Sequence, residues 1–235
     1  MTVQEIMDEL QAKGSEQIKS ILLKHGVKEP FFGVRVGDMK PIQKKIKMDD
    51  QLAKGLFATG NADAMYLAGL IADDKKMTKA DLQNWVQHAV SNNISEWTVP
   101  WVTAGSNFGW ELGLEWIDHK EEHIAAAGWA TLSNLVSLKA DEELDVPALK
   151  GLLERVLREI PNADHRVRYQ MNSFIIAVGA YVAPLTDAAI DTAKKLGVIT
   201  IEMNGTACKV PIALDYILKI KDKGAIGKKK KTVKC

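Results

Sequence analysis

Three groups of residues have the types and spacing to do chemistry or to recognise a charged partner. His119-Lys120-Glu121-Glu122-His123 spells H-x-x-E-H, a pattern in which two histidines four apart on a helix bind zinc while a glutamate activates water. Here the string falls on a charged junction between helices, Asp118 to Glu122, and reads as a solvated helix start, so no metal site is expected. Trp97 and Trp101 are spaced i, i+4 and share one helix face, within a run that also holds Trp110, Trp116 and Trp129. Core packing accounts for most of the five, but an exposed aromatic pair beside basic residues would hold an unstacked base. Arg166 and Arg168 open an otherwise apolar helix, where positive charge opposes the helix dipole, so they are expected to face an external anion such as phosphate. The chain has no Gly-rich phosphate loop, no Ser/His/Asp order and no paired Cys-x-x-Cys.

Charge is segregated along the chain. Residues 205–235 hold nine lysines, among them Lys209, Lys228, Lys229, Lys230, Lys231 and Lys234, against Asp215 and Asp222, in a protein whose net charge is +1. Taken alone, such a run is as well explained by a solvated tail. A second cluster, Arg35, Lys40, Lys44, Lys45 and Lys47 against Asp38, lies near the other end, and the middle is acidic. If the fold brought both clusters to one face, nucleic acid is the partner that surface would suit. A membrane suits it less, because no amphipathic, aromatic-tipped helix adjoins the lysines.

The elements that must position these groups read as helices. Thr2 with Glu5, and Thr78 with Asp81, are capping-box pairs ahead of apolar residues at helical spacing. Asp38 is placed to cap a helix carrying Pro41, Ile42 and Ile46, and Asp49 or Asp50 to cap the next. Ala125 to Gly128 would let a neighbouring helix pack closely. The departure is Val198 to Met203, β-branched and alternating, followed by Asn204-Gly205, which predicts a small β-hairpin near 198–210. The expected architecture is all-α: a HEAT-like solenoid of antiparallel helix pairs as one domain over 1–226, with 227–235 a mobile basic tail. The start of the chain is neither basic nor apolar, no run approaches the roughly 18 apolar residues of a membrane span, and the two cysteines cannot form a framework. A cytoplasmic protein is expected.

Phe32 to Pro41, Ala68 to Asp73, the Trp97 region and the Arg166 helix together resemble the DNA alkylation repair family of HEAT-like-repeat DNA glycosylases, over roughly residues 1–200. Residues 205–211 and the Lys-rich tail resemble a subgroup with a C-terminal extension. The resemblance implies a single-domain, cofactor-free helical protein that binds duplex DNA along a basic concave face, and whose catalytic members release N3- and N7-alkylated purines; a monomer that holds DNA through phosphate-backbone contacts, without membrane association, is expected. It also implies an aspartate four residues after a tryptophan, where this chain has Trp101 after Trp97, and an arginine within a segment like Ala127 to Leu135, which has none. A further family tryptophan falls near Phe174. Glycosidic cleavage builds positive charge on the sugar that a fixed carboxylate stabilises, and Glu96 and Glu111 are the nearest carboxylates, both out of register. The expectation is a protein that binds damaged, branched or distorted DNA without efficient base excision. The alternatives are a glycosylase with a displaced carboxylate and a helical protein scaffold. The DNA-contacting set is Arg35, Lys40, Lys44, Lys45, Trp97, Trp101, Arg166, Arg168, Lys209 and Lys228 to Lys231.

Overall fold

Helix caps written into the sequence set the first elements. In a computed structural model, which describes residues 1–89, 91–201 and 209–235, Thr2 and Glu5 close a capping box on α1 (Val3–Lys13). Asp49 accepts the Leu52 N–H at 3.0 Å to start α4 (Asp50–Ala58). Asn61 caps α5 (Ala62–Ile71), and Thr78 with Asp81 caps α6 (Lys79–His88). Between these lie α2 (Glu16–Lys24) and α3 (Val36–Ile46). The latter starts two residues before Asp38, which therefore sits in its first turn instead of capping it. Helix α7 (Val99–Gly105) follows a π-turn, Ile94–Thr98.

The contacts of the chain divide it into two compact units, where the sequence suggested one domain over 1–226. Residues 1–108 with 234–235 make the first. Its centre is α5, every residue of which is buried, as befits a helix apolar all round. Helix α4 packs on it across the short turn 59–61, and Phe57 stacks on Trp85 with ring centroids 4.1 Å apart.

The second unit comprises 109–201 and 209–233 among the described residues. It holds α8 (Gly109–Trp116), α9 (Glu122–Leu138), α10 (Val146–Glu159), α11 (His165–Tyr181), α12 (Thr186–Leu196) and α13 (Ala213–Asp222). Helix α9 buries Ala125 to Ala130 against its neighbours α8 and α11, and Trp129 meets Phe174 edge-on at 5.2 Å.

The chain is all-α, and no strand occurs among the described residues. The hairpin expected near 198–210 is not supported: 198–201 and 209–210 form neither strand nor helix, and 202–208, with the Asn204-Gly205 pair, lie outside the described residues. β-Branched alternation is a preference that tertiary context overrides. The tail, expected to be mobile, makes backbone hydrogen bonds to α11 and α9. The Gly227 N–H donates to the Ala180 carbonyl at 2.9 Å and the Lys230 N–H to that of Ser137 at 2.8 Å. No single helix among the described residues is long and apolar enough to cross a membrane.

Candidate nucleic-acid interface

The π-turn is the local device that presents Trp97. Pro100 has no N–H to close an α-turn on Glu96, and the Val99 N–H reaches instead to the Ile94 carbonyl, five residues back. Gly69 of α5 faces this turn so closely that a Cβ there would stand 2.5 Å from Thr98 Cγ2. Trp97 is 49% exposed, whereas Trp101 is 2% exposed and lies edge-on to both Tyr66 (5.3 Å) and Trp97 (6.2 Å). The pair predicted to share a face does so, but only Trp97 offers a ring to a partner. Trp101 is the wall behind it. Glu96, on the same turn, is buried.

Beside Trp97 opens a cavity of about 220 Å³ lined mainly by apolar groups of α2, α3 and the segment before α3: Leu22, Val34, Val36 and Met39. Tyr66, Asn93 and Asp63 complete it. Burial, reinforced by the neighbouring Cys235, pushes the Tyr66 phenol well up, so it stays a neutral hydroxyl. The Asn93 Oδ1 is buried without a hydrogen-bond partner. Asp63 shapes the wall. Its carboxylate accepts the backbone N–H groups of Phe32 (2.7 Å), Gly33 (2.9 Å) and Val34 (3.3 Å). Gly33 is obligatory in that bend, with φ +80° and no room for a Cβ beneath Lys19 and the Ser15 carbonyl. Burial raises the Asp63 carboxyl above its ordinary range, and the three N–H groups pull against that shift. A carboxylate so committed to backbone is architecture, not a general base.

Basic residues of α3 and its N-cap adjoin the cavity-lining residues in sequence. Arg35 stands between the lining residues Val34 and Val36, and Lys40 follows Met39; both are exposed, as are Lys44 and Lys45. Lys45 reaches Glu9 at 3.5 Å, and Lys40 donates to the Cys235 carbonyl. The tail lysines are less available than their sequence implies. Lys229, 19% exposed, pairs with Asp141 at 2.8 Å and donates to the Val136 carbonyl at 2.9 Å. Lys234, 16% exposed, does the same with Asp74 (2.6 Å) and the Ala72 carbonyl (2.8 Å). In each case the ammonium sits at the end of a helix and beside an aspartate of the following 3-10 turn, so the same arrangement occurs in each unit. The Lys230 ammonium lies 5.3 Å from the Tyr181 ring centroid. Lys209, Lys228 and Lys231 are exposed.

In the second unit Arg168 is turned inward, donating to the carbonyls of Ala163 (3.0 Å), Pro161 (3.3 Å) and Thr200 (3.3 Å). The guanidinium expected to face an external anion instead satisfies chain ends around the start of α11. Arg166 lies over Tyr169, 4.9 Å from its centroid, and its backbone N–H is capped by Glu122 Oε1 at 2.8 Å. That bond also occupies the glutamate of the H-x-x-E-H string. Its two histidines diverge in context, with His119 before α9 accepting the Glu121 N–H at 3.1 Å and His123 within the helix, 3.6 Å from Glu121. No group of three metal-ligating side chains occurs among the described residues. Glu111 is exposed in the first turn of α8.

Known proteins decide the lineage. A family profile described as DNA alkylation repair enzyme matches residues 6–209. The chain belongs to the DNA alkylation repair family. Uncharacterized proteins of Listeria innocua and Listeria monocytogenes are each 28% identical to it over 229 residues, covering 95% of this chain and 99% of theirs. A solved structure covers the whole of both chains at 35% identity with a TM-score of 0.91, and is described as a new family of proteins related to the HEAT-like repeat DNA glycosylases with affinity for branched DNA structures.

The fold is accordingly that of the HEAT-like repeat proteins. The position at which the resemblance calls for an aspartate holds the buried Trp101 indole. The segment 127–135, without arginine, is packed into α9, and Phe174 fills the core against Trp129. The residues that sequence reasoning missed are Leu22, Met39, Asp63, Tyr66 and Asn93. They come from α2, α3, α5 and the residue before the π-turn, and only Asp63 and Tyr66, three apart on α5, share a local pattern.

Proposed function

We propose that this protein binds branched or otherwise distorted DNA, as a cytoplasmic monomer, and does not excise alkylated purines efficiently. The observation that carries the reading is the full-length likeness, at 35% identity, to a protein of a glycosylase-related family with affinity for branched DNA. Trp101 supports its second half. A buried indole supplies neither the full negative charge that stabilises the cationic sugar of glycosidic cleavage nor a base to activate water, and losing one positioned electrostatic group removes about two to three orders of magnitude in rate. Trp97 supports its first half, since a half-exposed ring on a cavity whose lining residues Val34, Val36 and Met39 adjoin Arg35 and Lys40 in sequence suits a base that a junction or bulge leaves unstacked.

The test of the catalytic half is single-turnover release of 7-methylguanine and 3-methyladenine from alkylated DNA. The expected result is release no faster than about a hundredth of that by a catalytically competent glycosylase under the same conditions. Robust release abolished by Glu96→Gln or Glu111→Gln would overturn the reading in favour of a glycosylase with a displaced carboxylate.

A further inference from the structure

The cavity beside Trp97 is a built site that the reading above leaves without a ligand. At about 220 Å³ it is smaller than the roughly 300–1,000 Å³ of pockets that enclose whole small molecules, so it takes one flat group and leaves the rest of the ligand outside. Its walls are mainly apolar, one side is the exposed Trp97 ring, and the cations nearest in sequence, Arg35 and Lys40, flank lining residues without lining it themselves. An aromatic group that enters such a cavity while its charge remains at the mouth describes a nucleotide, base inward and phosphate outward.

Polarity narrows the base. Asn93 lines the cavity and its amide oxygen is buried without a partner, so a turn of the amide toward the cavity lets a ligand hydrogen-bond donor satisfy it. A primary amide presents an acceptor and a donor side by side, which matches the amino group and adjacent ring nitrogen of adenine in bidentate fashion. The Asp63 carboxylate, which also lines the cavity, already accepts three backbone N–H groups. We propose that this cavity receives one unpaired adenine base of a bound DNA, stacked on Trp97 and hydrogen-bonded by the Asn93 amide, with Arg35 and Lys40 on the flanking phosphates. The proposal rests on the DNA-binding reading above and names the element of distorted DNA that is recognised.

The experiment compares duplexes of one sequence that carry a single-nucleotide bulge of adenine, of thymine, or of an abasic residue. Binding is measured by fluorescence anisotropy at one salt concentration. The full chain is expected to bind the adenine bulge about ten- to a hundredfold tighter than the abasic bulge, with thymine between them. Asn93→Leu is expected to erase the preference of adenine over thymine, and Trp97→Ala the preference of either over the abasic bulge. Val36→Trp fills the cavity from a side chain 37% exposed, and is expected to remove the base preference without cutting into the core. Circular dichroism and thermal melting of each variant separate this from loss of fold. Equal affinity of the full chain for adenine and abasic bulges, both bound tightly, overturns the cavity assignment and leaves the DNA reading standing. Failure to bind any of the three at low salt overturns both.

Discussion

Asp63→Ala is the perturbation that most directly tests how the candidate site is held. The carboxylate accepts three N–H groups from Phe32, Gly33 and Val34, two of them at 2.7 and 2.9 Å and one longer at 3.3 Å, and the residue is only 4% exposed. Hydrogen bonds to a charged group contribute about 1.5–3 kcal/mol each, and buried donors left unsatisfied cost about 1–3 kcal/mol. Two good bonds and one weak one therefore give a gross loss of about 4–6 kcal/mol. Relief of the carboxylate's desolvation, visible in its raised pKa, offsets part of that. A net loss of about 3 kcal/mol is expected. Asp63→Asn retains one acceptor oxygen and should fall about midway. Urea unfolding followed by circular dichroism reads the loss, and amide exchange at residues 32–34 localises it to the bend. A change below about 1 kcal/mol with those amides still protected would refute the view that Asp63 organises the cavity wall.

Other expectations follow from particular contacts. Gly69→Ala places a methyl 2.5 Å from Thr98 Cγ2, so thermal unfolding should show a loss of about 1–3 kcal/mol, with Trp97 emission shifted as the π-turn moves. Lys229→Ala leaves Asp141 beside a lost cation and should cost about 1–3 kcal/mol in urea unfolding, whereas exposed Lys228→Ala should cost less than about 0.5 kcal/mol; the reverse order would restore the free-arm view of the tail. Burial opposes ionisation of Asp81, but hydrogen bonds from Lys54 and Thr78 outweigh it and hold its carboxyl below the ordinary 3.8. A depressed folded pKa stabilises above the unfolded value and is lost as pH falls through the folded one, so the deficit of Asp81→Asn against the wild type should be full near neutrality and shrink below pH 3.8 in acid titrations of stability. Five to eight phosphate contacts give a slope of log K against log salt of roughly −4 to −7; a flat dependence would favour a protein scaffold.

What the sequence made legible was local. The Thr2–Glu5 and Thr78–Asp81 boxes and the Asp49 cap are contacts within four residues, and each forms as read. The spacing of Trp97 and Trp101 correctly put their rings in contact, yet spacing carries no information on depth, and the π-turn with Gly69 behind it is what lifts one ring out and buries the other. Long-range partners were invisible. Lys229 reaches 88 residues back to Asp141 by number and Lys234 reaches Asp74 160 residues back, so a charge run that looked solvated is partly consumed in ion pairs. Arg168 likewise finds carbonyls at positions 161, 163 and 200 where the helix-dipole argument sent it outward.

The central claim is a preference for branched DNA, and competition between two DNA forms tests it most directly. A labelled four-way junction is bound at fixed salt and displaced by unlabelled junction or by linear duplex of the same total length and sequence. Because phosphate contacts are shared by both forms, any difference reports shape and exposed bases. The account predicts that linear duplex competes at least about tenfold more weakly than junction, a difference of about 1.4 kcal/mol. Equal competition by the two forms would contradict it.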